Sequence, residues 1–442
     1  MTPLRIGGGS AFFNDRLDAA LELVEHGRID VLMIETLAER TLAILQAGRA
    51  DGQPGYFPRL EGRLATLLPA CRSRGTRIVS NGGGAATQAA AEMARRVAGE
   101  AGLHGTIIAA VLGDDVASLV READPVLVET GEKASRPSTP IVSANAYLGA
   151  APIAEACRAG AHVVMTGRVT DSALALGPLQ AHFGWTALDA LACGIVAGHL
   201  LECGGQATGG YFADPGVKEV PGLDRLGFPI AEVADDLSIR ITKPPGTGGR
   251  IDRHVITEQL LYEVHDPTRY ITPDVVLDLS EVALCQEGPE RIRLTGMRGH
   301  PAPATLKVLI GVQAGQHVEV EISYAGTGAE ARARLAAEVV QRRVARSPLR
   351  DVTVRYDLIG LNALALPGRS TPVLPEVRLR VAARCPDLTL AELLVTEVES
   401  LYVNGPAGGG GVRFSIRPTV RTLTTYLPAT DVAARVDYLE VR

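Results

Sequence analysis

Aromatic residues make up only 4% of the 442-residue chain, too few for the stacking platforms on which proteins lay out single-stranded bases. No Lys/Arg run or basic stripe stands out, and the formal net charge of −6 speaks against nucleic acid as a partner. No CxxC pair exists among Cys71, Cys157, Cys193, Cys203, Cys285 and Cys385. Neither a zinc ribbon nor a disulfide framework is therefore signalled, and a reducing cytoplasm with core thiols is expected. No apolar run approaches the roughly 20 residues that a bilayer crossing takes. The opening MTPLRIGGGS lacks the basic stretch and long apolar run of a secretory signal. The dinucleotide fingerprint GxGxxG is missing too: Phe12 and Ala86 stand where GGGS and NGGG would need a further glycine, which disfavours NAD. KPPGTGGR at 243–250 carries its lysine ahead of its glycines and has no GKS or GKT ending, so it is no P-loop.

What the chain does have is length and clustered glycine. At 442 residues it exceeds one typical core, and two domains are expected. Short apolar runs alternate with helical patterns at first. Strands are predicted at 3–7, 30–35, 76–80, 105–112 and 162–166, and helices at 15–24, 37–45, 57–72, 85–101, 150–159, 171–183 and 186–203. Several strands are continuous apolar runs, as parallel strands covered on both faces should be. The expected fold class is α/β, an open, mostly parallel, doubly wound sheet. Residues 213–250 read as Pro- and Gly-rich loops with short strands, and 251–264 as a helix. Beyond that, strands dominate, at 290–295, 304–312, 317–323, 352–359, 375–382 and 412–426, with helices at 328–345 and 388–402. From 317 on the order is β-α-β-β-α-β, an α+β ferredoxin-like (split βαβ) region. The expected domains are 1–270, α/β with the ligand site, and 271–442, α+β and suited to oligomer or partner docking.

In an open parallel sheet, ligands bind beyond the carboxyl ends of the strands, and the glycine clusters fall there. Gly7–Ser10, Asn81–Gly84, Gly113–Asp115 and Thr166–Arg168 each follow a predicted strand, and Glu35 closes another. Backbone N–H groups at Gly8, Gly9, Ser10, Gly82, Gly83 and Gly167 would form a floor for phosphate or carboxylate. The plainer alternative is tight turns with no ligand. Arg168 is expected to clamp an anion bidentately. Asp171 either acts as acid or base or caps its helix. Asp115 and Glu35 are further acid–base candidates, and Asn81 and Asn145 can orient a carbonyl. Lys243, Thr247 and Gly248 form a second anion site or a proline-stiffened turn.

The stretch HLLECGGQATGGYF at 199–212 is the densest in possible chemistry. His199 and Cys203 share a helix face. A proton-shuttling histidine and a thiolate–imidazolium pair are one reading. The glycines at 204 and 205 stop the helix, which puts Cys203 at its carbonyl end, where the dipole disfavours a thiolate. An inert thiol is the other reading. No second ligand cluster supports a metal. NGPAGGGG at 404–411 exceeds what a helix cap needs and reads as a lid, a subunit contact or a plain loop.

The stretches RIGGGS, SNGGG, NAYLGA, TGRVTDSALALGP, GHLLECGGQATGG, GFPIAEV, TKPPGTGG, TEQLLYEV and LYVNGPAGGGG run from Arg5 to about Gly411. Together they resemble the acyclic terpene utilisation (AtuA) family. The resemblance implies a cytoplasmic, bacterial-type protein associated with breakdown of branched acyclic terpenoids such as citronellol and geraniol, whose intermediates are carried as CoA thioesters. It assigns no role to any residue. The expectation is an enzyme acting without a redox cofactor on a CoA thioester or related carboxylic acid, by lyase, hydratase or hydrolase chemistry. CoA enters as substrate carrier, with no other cofactor and no metal. The expected partners are the small-molecule substrate and further copies of the chain, with neither nucleic acid nor a membrane. The alternative is a non-catalytic ligand-binding or scaffolding subunit of an acyl-CoA-processing assembly.

Overall fold

The computed structural model describes residues 1–136, 140–364 and 374–442. The chain forms two compact units, Met1–Gly311 with Thr422–Arg442, and Val312–Arg421. Residues 271–311 and 422–442, assigned to the C-terminal region on sequence, thus belong to the first unit.

The first unit begins with β1 (Leu4–Gly8), α1 (Leu17–His26), β2 (Val31–Ile34), α2 (Thr41–Ala50), α3 (Leu60–Arg74), β3 (Arg77–Ser80) and α4 (Thr87–Glu100). It continues through β4 (Ile107–Leu112), α5 (Ala117–Ala123), β5 (Ile141–Ala146), α6 (Ala151–Arg158), β6 (Val163–Thr166), α7 (Ala173–Phe183) and α8 (Leu188–Glu202). Next come β7 (Ile230–Val233), β8 (Ile239–Thr242), α9 (Arg253–Leu260), β9 (Tyr270–Ile271), β10 (Val276–Asp278), β11 (Ala283–Gly288), β12 (Arg291–Thr295) and β13 (Arg298–His300). Strand β14 (Thr305–Ala325) carries the chain into the second unit, with α10 (Ala329–Val344), β15 (Val354–Ile359), β16 (Glu376–Cys385), α11 (Leu388–Glu399) and α12 (Leu401–Asn404). Strand β17 (Gly410–Pro428) and then β18 (Arg435–Glu440) return it to the first.

The main sheet runs β11-β12-β8-β7-β1-β2-β3-β6-β4-β18. Its centre, β1-β2-β3-β6-β4, is parallel throughout. Alternate residues there point to opposite faces, and both faces are apolar. Val31, Met33, Val79, Val164 and Val111 join a core with α6, α7 and α8, whereas Leu32, Ile34, Ile78, Met165 and Ile108 join another with α1, α3 and α4. That double burial accounts for the unbroken apolar strands of the sequence.

The sheet is mixed, not mostly parallel as expected. Outside the centre every pairing is antiparallel: β7 on β1, β8 on β7, β12 on β8, β11 on β12 and β18 on β4. Short turns dictate this. Residues 234–238 close β7 onto β8, with the Ala234 N–H on the Ser238 carbonyl at 3.0 Å, and a tight turn can join only antiparallel neighbours.

Helix α8 is buried on nearly all sides, from Ala190 to Leu201, as a helix that is apolar all round must be. Small residues let it in. A Cβ at Gly198 would lie 2.5 Å from the Ser172 Cα, and one at Gly8 would lie 2.5 Å from the Leu201 carbonyl oxygen.

In the second unit the spatial order is β15-β16-β14-β17. Val318, Val320, Ile322 and Tyr324 pack with Val340, Leu379, Val381 and Leu394. The alternating residues Glu319 and Glu321 pair with Arg380 and Arg378. The two strands expected at 304–312 and 317–323 are one. Gly315 lies between them at φ +77, with the Cys385 carbonyl where a Cβ would stand. Gly315 therefore lets the strand run on without a break. Among the described residues no helix is long and apolar enough to cross a membrane.

Candidate active site

The exits of the central parallel strands converge on one buried polar cluster. Glu35 follows β2, Asn81 follows β3, Asp114 lies two residues past β4, and Arg168 two residues past β6. Asn81 ties the first two exits together. Its Oδ1 accepts from the Thr36 N–H at 2.8 Å, and its Nδ2 donates to Glu35 Oε1 at 3.1 Å and to Asp171 Oδ1 at 3.4 Å. Glu35 Oε1 also accepts from the Leu37 N–H at 2.5 Å. Arg168, with only 1% of its surface exposed, donates from Nε to the Val169 carbonyl (2.9 Å), from Nη1 to the Leu37 carbonyl (2.8 Å), and from Nη2 to Asp171. Its guanidinium lies 4.7 Å from the Tyr147 ring centroid. Asp114 accepts from the Arg168 N–H (2.8 Å) and from Asn145 Nδ2 (2.9 Å).

The two carboxyls beside Arg168 are both pushed toward the neutral acid. Burial raises Glu35 well above the usual carboxylate range, the Asp171 charge adds to this, and Arg168, Asn81 and Leu37 oppose it. Asp171 is raised by its enclosed surroundings and by Glu263 and Glu39, against the pull of Arg168. About a third of the Asp171 side chain, 33%, is exposed, so it is the member of the cluster that solvent reaches. Burial pushes Asp114 up to about 6. Two neighbouring carboxyls beside one fixed cation favour a state with one carboxyl ionised and the other protonated.

A second polar group adjoins the first at the end of α8. His199 Nδ1 lies 2.8 Å from Glu202 Oε1, and the ring is 5.6 Å from that of Tyr270. Burial opposes the imidazolium, but Glu202 outweighs it and raises the His199 pKa. Burial likewise raises Glu202, with His199 opposing and Asp171 adding to the shift. The Asp171 charge thus reaches the α8 pair. Cys203 sits just past the helix. Burial first, then the Glu202 charge, push its thiol far up, and the inert reading of this cysteine is the one its surroundings favour.

Several residues singled out on sequence stand elsewhere or are already engaged. Most of the turn N–H groups expected to form a floor are engaged elsewhere. Gly8 N–H goes to the Pro229 carbonyl (2.9 Å), Gly9 to Met33 (2.7 Å) and Gly83 to Thr166 (3.1 Å), while Gly82 donates to Ser80 Oγ (3.0 Å). Ser10 Oγ donates to the Glu35 carbonyl (2.6 Å). These glycines instead permit close approach: a Cβ at Gly167 would lie 2.5 Å from Asp114 Oδ2, and one at Gly83 would lie 2.6 Å from the Thr166 oxygen. Arg168 has every guanidinium nitrogen bonded inside the protein, so it is a fixed cation and not a substrate clamp. Lys243 Nζ is held by the Thr247 carbonyl (2.7 Å) and Glu290 (2.9 Å). The Gly248 N–H goes to the Arg225 carbonyl. The lysine and the glycine of that loop are thus engaged within the protein. Asp115 is turned to the Ala117 N–H (3.1 Å) at the start of α5. Gly408 and Gly409 lead directly into β17, which Gly410 and Gly411 open.

Sequence reasoning missed Tyr147 and Lys307. The Lys307 Nζ lies 5.2 Å from the Tyr147 ring and 2.9 Å from Glu39. Tyr147 stands in the quoted motif NAYLGA, two residues past Asn145, and that proximity was its only signal. Lys307 is brought in by a backbone bond from the Tyr147 N–H to the Lys307 carbonyl at 3.0 Å, a pairing that spacing cannot announce.

A family model described as Acyclic terpene utilisation family protein AtuA matches residues 4–438. The chain belongs to the acyclic terpene utilisation (AtuA) family. No curated protein and no solved structure matches it. Membership in the AtuA family implies a role in acyclic terpene utilisation. The stretches TGRVTDSA and SNGGG supply Arg168, Asp171 and Asn81 of the cluster.

Proposed function

We propose that this AtuA-family protein is an enzyme that moves a proton on a branched acyclic CoA thioester or related carboxylic acid, in a lyase, hydratase or hydrolase step that needs no redox cofactor. The observation that carries the reading is the Glu35–Asn81–Asp171–Arg168 cluster at the strand exits. Arg168 pairs directly with Asp171, so the single negative charge of the carboxyl pair rests there, facing solvent. Glu35 keeps the proton. Its Oε1 is taken by two N–H donors, which leaves Oε2 to carry hydrogen. Asp171 acts as general base, Glu35 as the acid behind it, and Asn81 holds both in register. Proton transfer of this kind is worth roughly 100- to 10,000-fold in rate.

The reading is tested by Glu35→Gln and Asp171→Asn, assayed on branched acyl-CoA thioesters that the wild-type protein turns over. Each should lose about 100-fold or more in kcat while keeping the wild-type thermal midpoint within a few degrees. Wild-type kcat in both variants would sink the assignment. The second reading, a non-catalytic ligand-binding or scaffolding subunit, is favoured by the internal saturation of Arg168 and of most of the glycine-turn N–H groups. A thermal midpoint raised by thioester, with no turnover of it by the wild-type protein, decides for that reading. The second unit is read here as a split βαβ fold and a docking surface for further copies of the chain. A monomer in light scattering would remove that part.

A further inference from the structure

A cavity of about 740 Å³ lies beside the strand exits, lined by residues 84–89 at the start of α4, by α5 and by β5. Its volume is that of a small-molecule site. Helix α4 has 14 residues and no side chain capping its start, so its first-turn N–H groups are left for an anion. Three guanidinium groups, Arg49, Arg121 and Arg435, line the same space.

Side chains that are more than nine-tenths buried also reach the cavity: Thr87, Ser143 and Asn145, at 5%, 8% and 6% exposure. Asn145 gives Nδ2 to Asp114, which leaves its Oδ1 as an acceptor. Gln88 turns its Nε2 to Glu92 at 3.3 Å and encloses its Oε1 away from the cavity. The carboxylates in the lining are turned to other partners. Asp114 takes the Arg168 N–H and Asn145, Asp115 takes the Ala117 N–H, and Glu92 takes Gln88 Nε2 at 3.3 Å. The cavity therefore offers cations, helix N–H donors and one uncommitted acceptor, Asn145 Oδ1.

We propose that this cavity binds a phosphorylated small molecule that also carries hydroxyl or amine donors, of the nucleoside diphosphate class. Arg121, Arg435 and the α4 N-terminus take the phosphates. Asn145 Oδ1 accepts from the sugar or base. The inference goes beyond the acid–base reading and does not depend on it. Under that reading, the same chemistry would hold the nucleotide end of the acyl carrier.

The test is calorimetric titration of the full-length protein with ADP, CoA and inorganic pyrophosphate. ADP and CoA should both bind, more tightly than pyrophosphate. The Arg121→Ala/Arg435→Ala variant should weaken both by about tenfold or more. Both arginines are exposed, so circular dichroism and the thermal midpoint should be unchanged. Asn145→Ala should weaken ADP but not pyrophosphate. No binding of ADP or CoA at millimolar concentration, or equal binding by the double-arginine variant, overturns the proposal. Pyrophosphate binding as tightly as ADP overturns the nucleotide class. Binding of ADP should persist in Glu35→Gln. Lost turnover with retained binding, or lost binding with retained turnover, separates the failure of this inference from the failure of the catalytic reading.

Discussion

Asp274 is half-buried with its carboxyl enclosed, Oδ1 on the Ala150 N–H at 2.9 Å, at the start of α6, and Oδ2 without a partner. Burial pushes its carboxyl up to about 6, with the Ala150 N–H opposing. In the unfolded chain the same group titrates at about 3.9. The folded state therefore holds the proton more tightly. The stabilisation this gives is complete below about pH 4 and is lost as pH rises through about 6. Asp274→Asn keeps an acceptor for Ala150 and removes the charge. Relative to wild type it should gain on the order of 2–3 kcal/mol between pH 4 and pH 7, read from urea unfolding across that range. A constant difference between the two proteins would show that the carboxyl does not titrate in this way. Cys203 gives a second prediction at this scale. With its thiol pushed up by burial, it should react far more slowly with a thiol reagent near neutral pH than the exposed Cys285. Cys203→Ser should also leave turnover near the wild-type rate. Rapid labelling of Cys203 would revive the nucleophile. The sequence exposed both sides of this question, because the helix stop at Gly204 could be read but the burial could not.

At the scale of elements, the strand exits were legible and the chemistry between them was not. Apolar runs ending in Gly, Asn or Asp mark where parallel strands stop, and Glu35, Asn81 and Arg168 all came from that rule. Which N–H groups stay free depends on neighbours hundreds of residues away, such as Pro229 against Gly8, and no local pattern records them. The antiparallel flanks were legible only as short strands in a loop-rich stretch. Strand β5 went unread because Ile141–Ala146 carries Ser143 and Asn145, polar residues that interrupt the apolar run. Helix α8 makes the packing argument testable. Gly198→Ala places a methyl 2.5 Å from Ser172 backbone atoms, and overpacking of this kind costs about 1–3 kcal/mol. The urea midpoint should fall accordingly, with the m-value unchanged. A midpoint equal to wild type would mean that the α7–α8 contact yields easily. Because α8 ends at His199 and Glu202, any shift of the helix should also appear as a fall in turnover.

For the whole molecule, the first unit is discontinuous in sequence. Residues 312–421 intervene before Thr422–Arg442 rejoins it. Strand β18 then pairs along all of β4, from Arg435 opposite Leu112 to Glu440 opposite Ile107, and covers the sheet edge that leads to Asp114. The alternation in RVDYLE is short and charged, which hid the strand in the sequence. Ending the chain at residue 432 should leave β4 as an open edge of the kind that recruits other chains. The expected result is a lower soluble yield and a thermal midpoint lowered by several degrees. Equal yield and midpoint would show that β18 is dispensable. The pairing also has a consequence in time. During synthesis β4 emerges roughly 320 residues ahead of its partner, and at about 5–20 residues per second it waits on the order of 15–60 s beside the ribosome. Through that interval the nascent chain presents an apolar, unpaired strand, which makes it a natural client for chaperones that shield such edges.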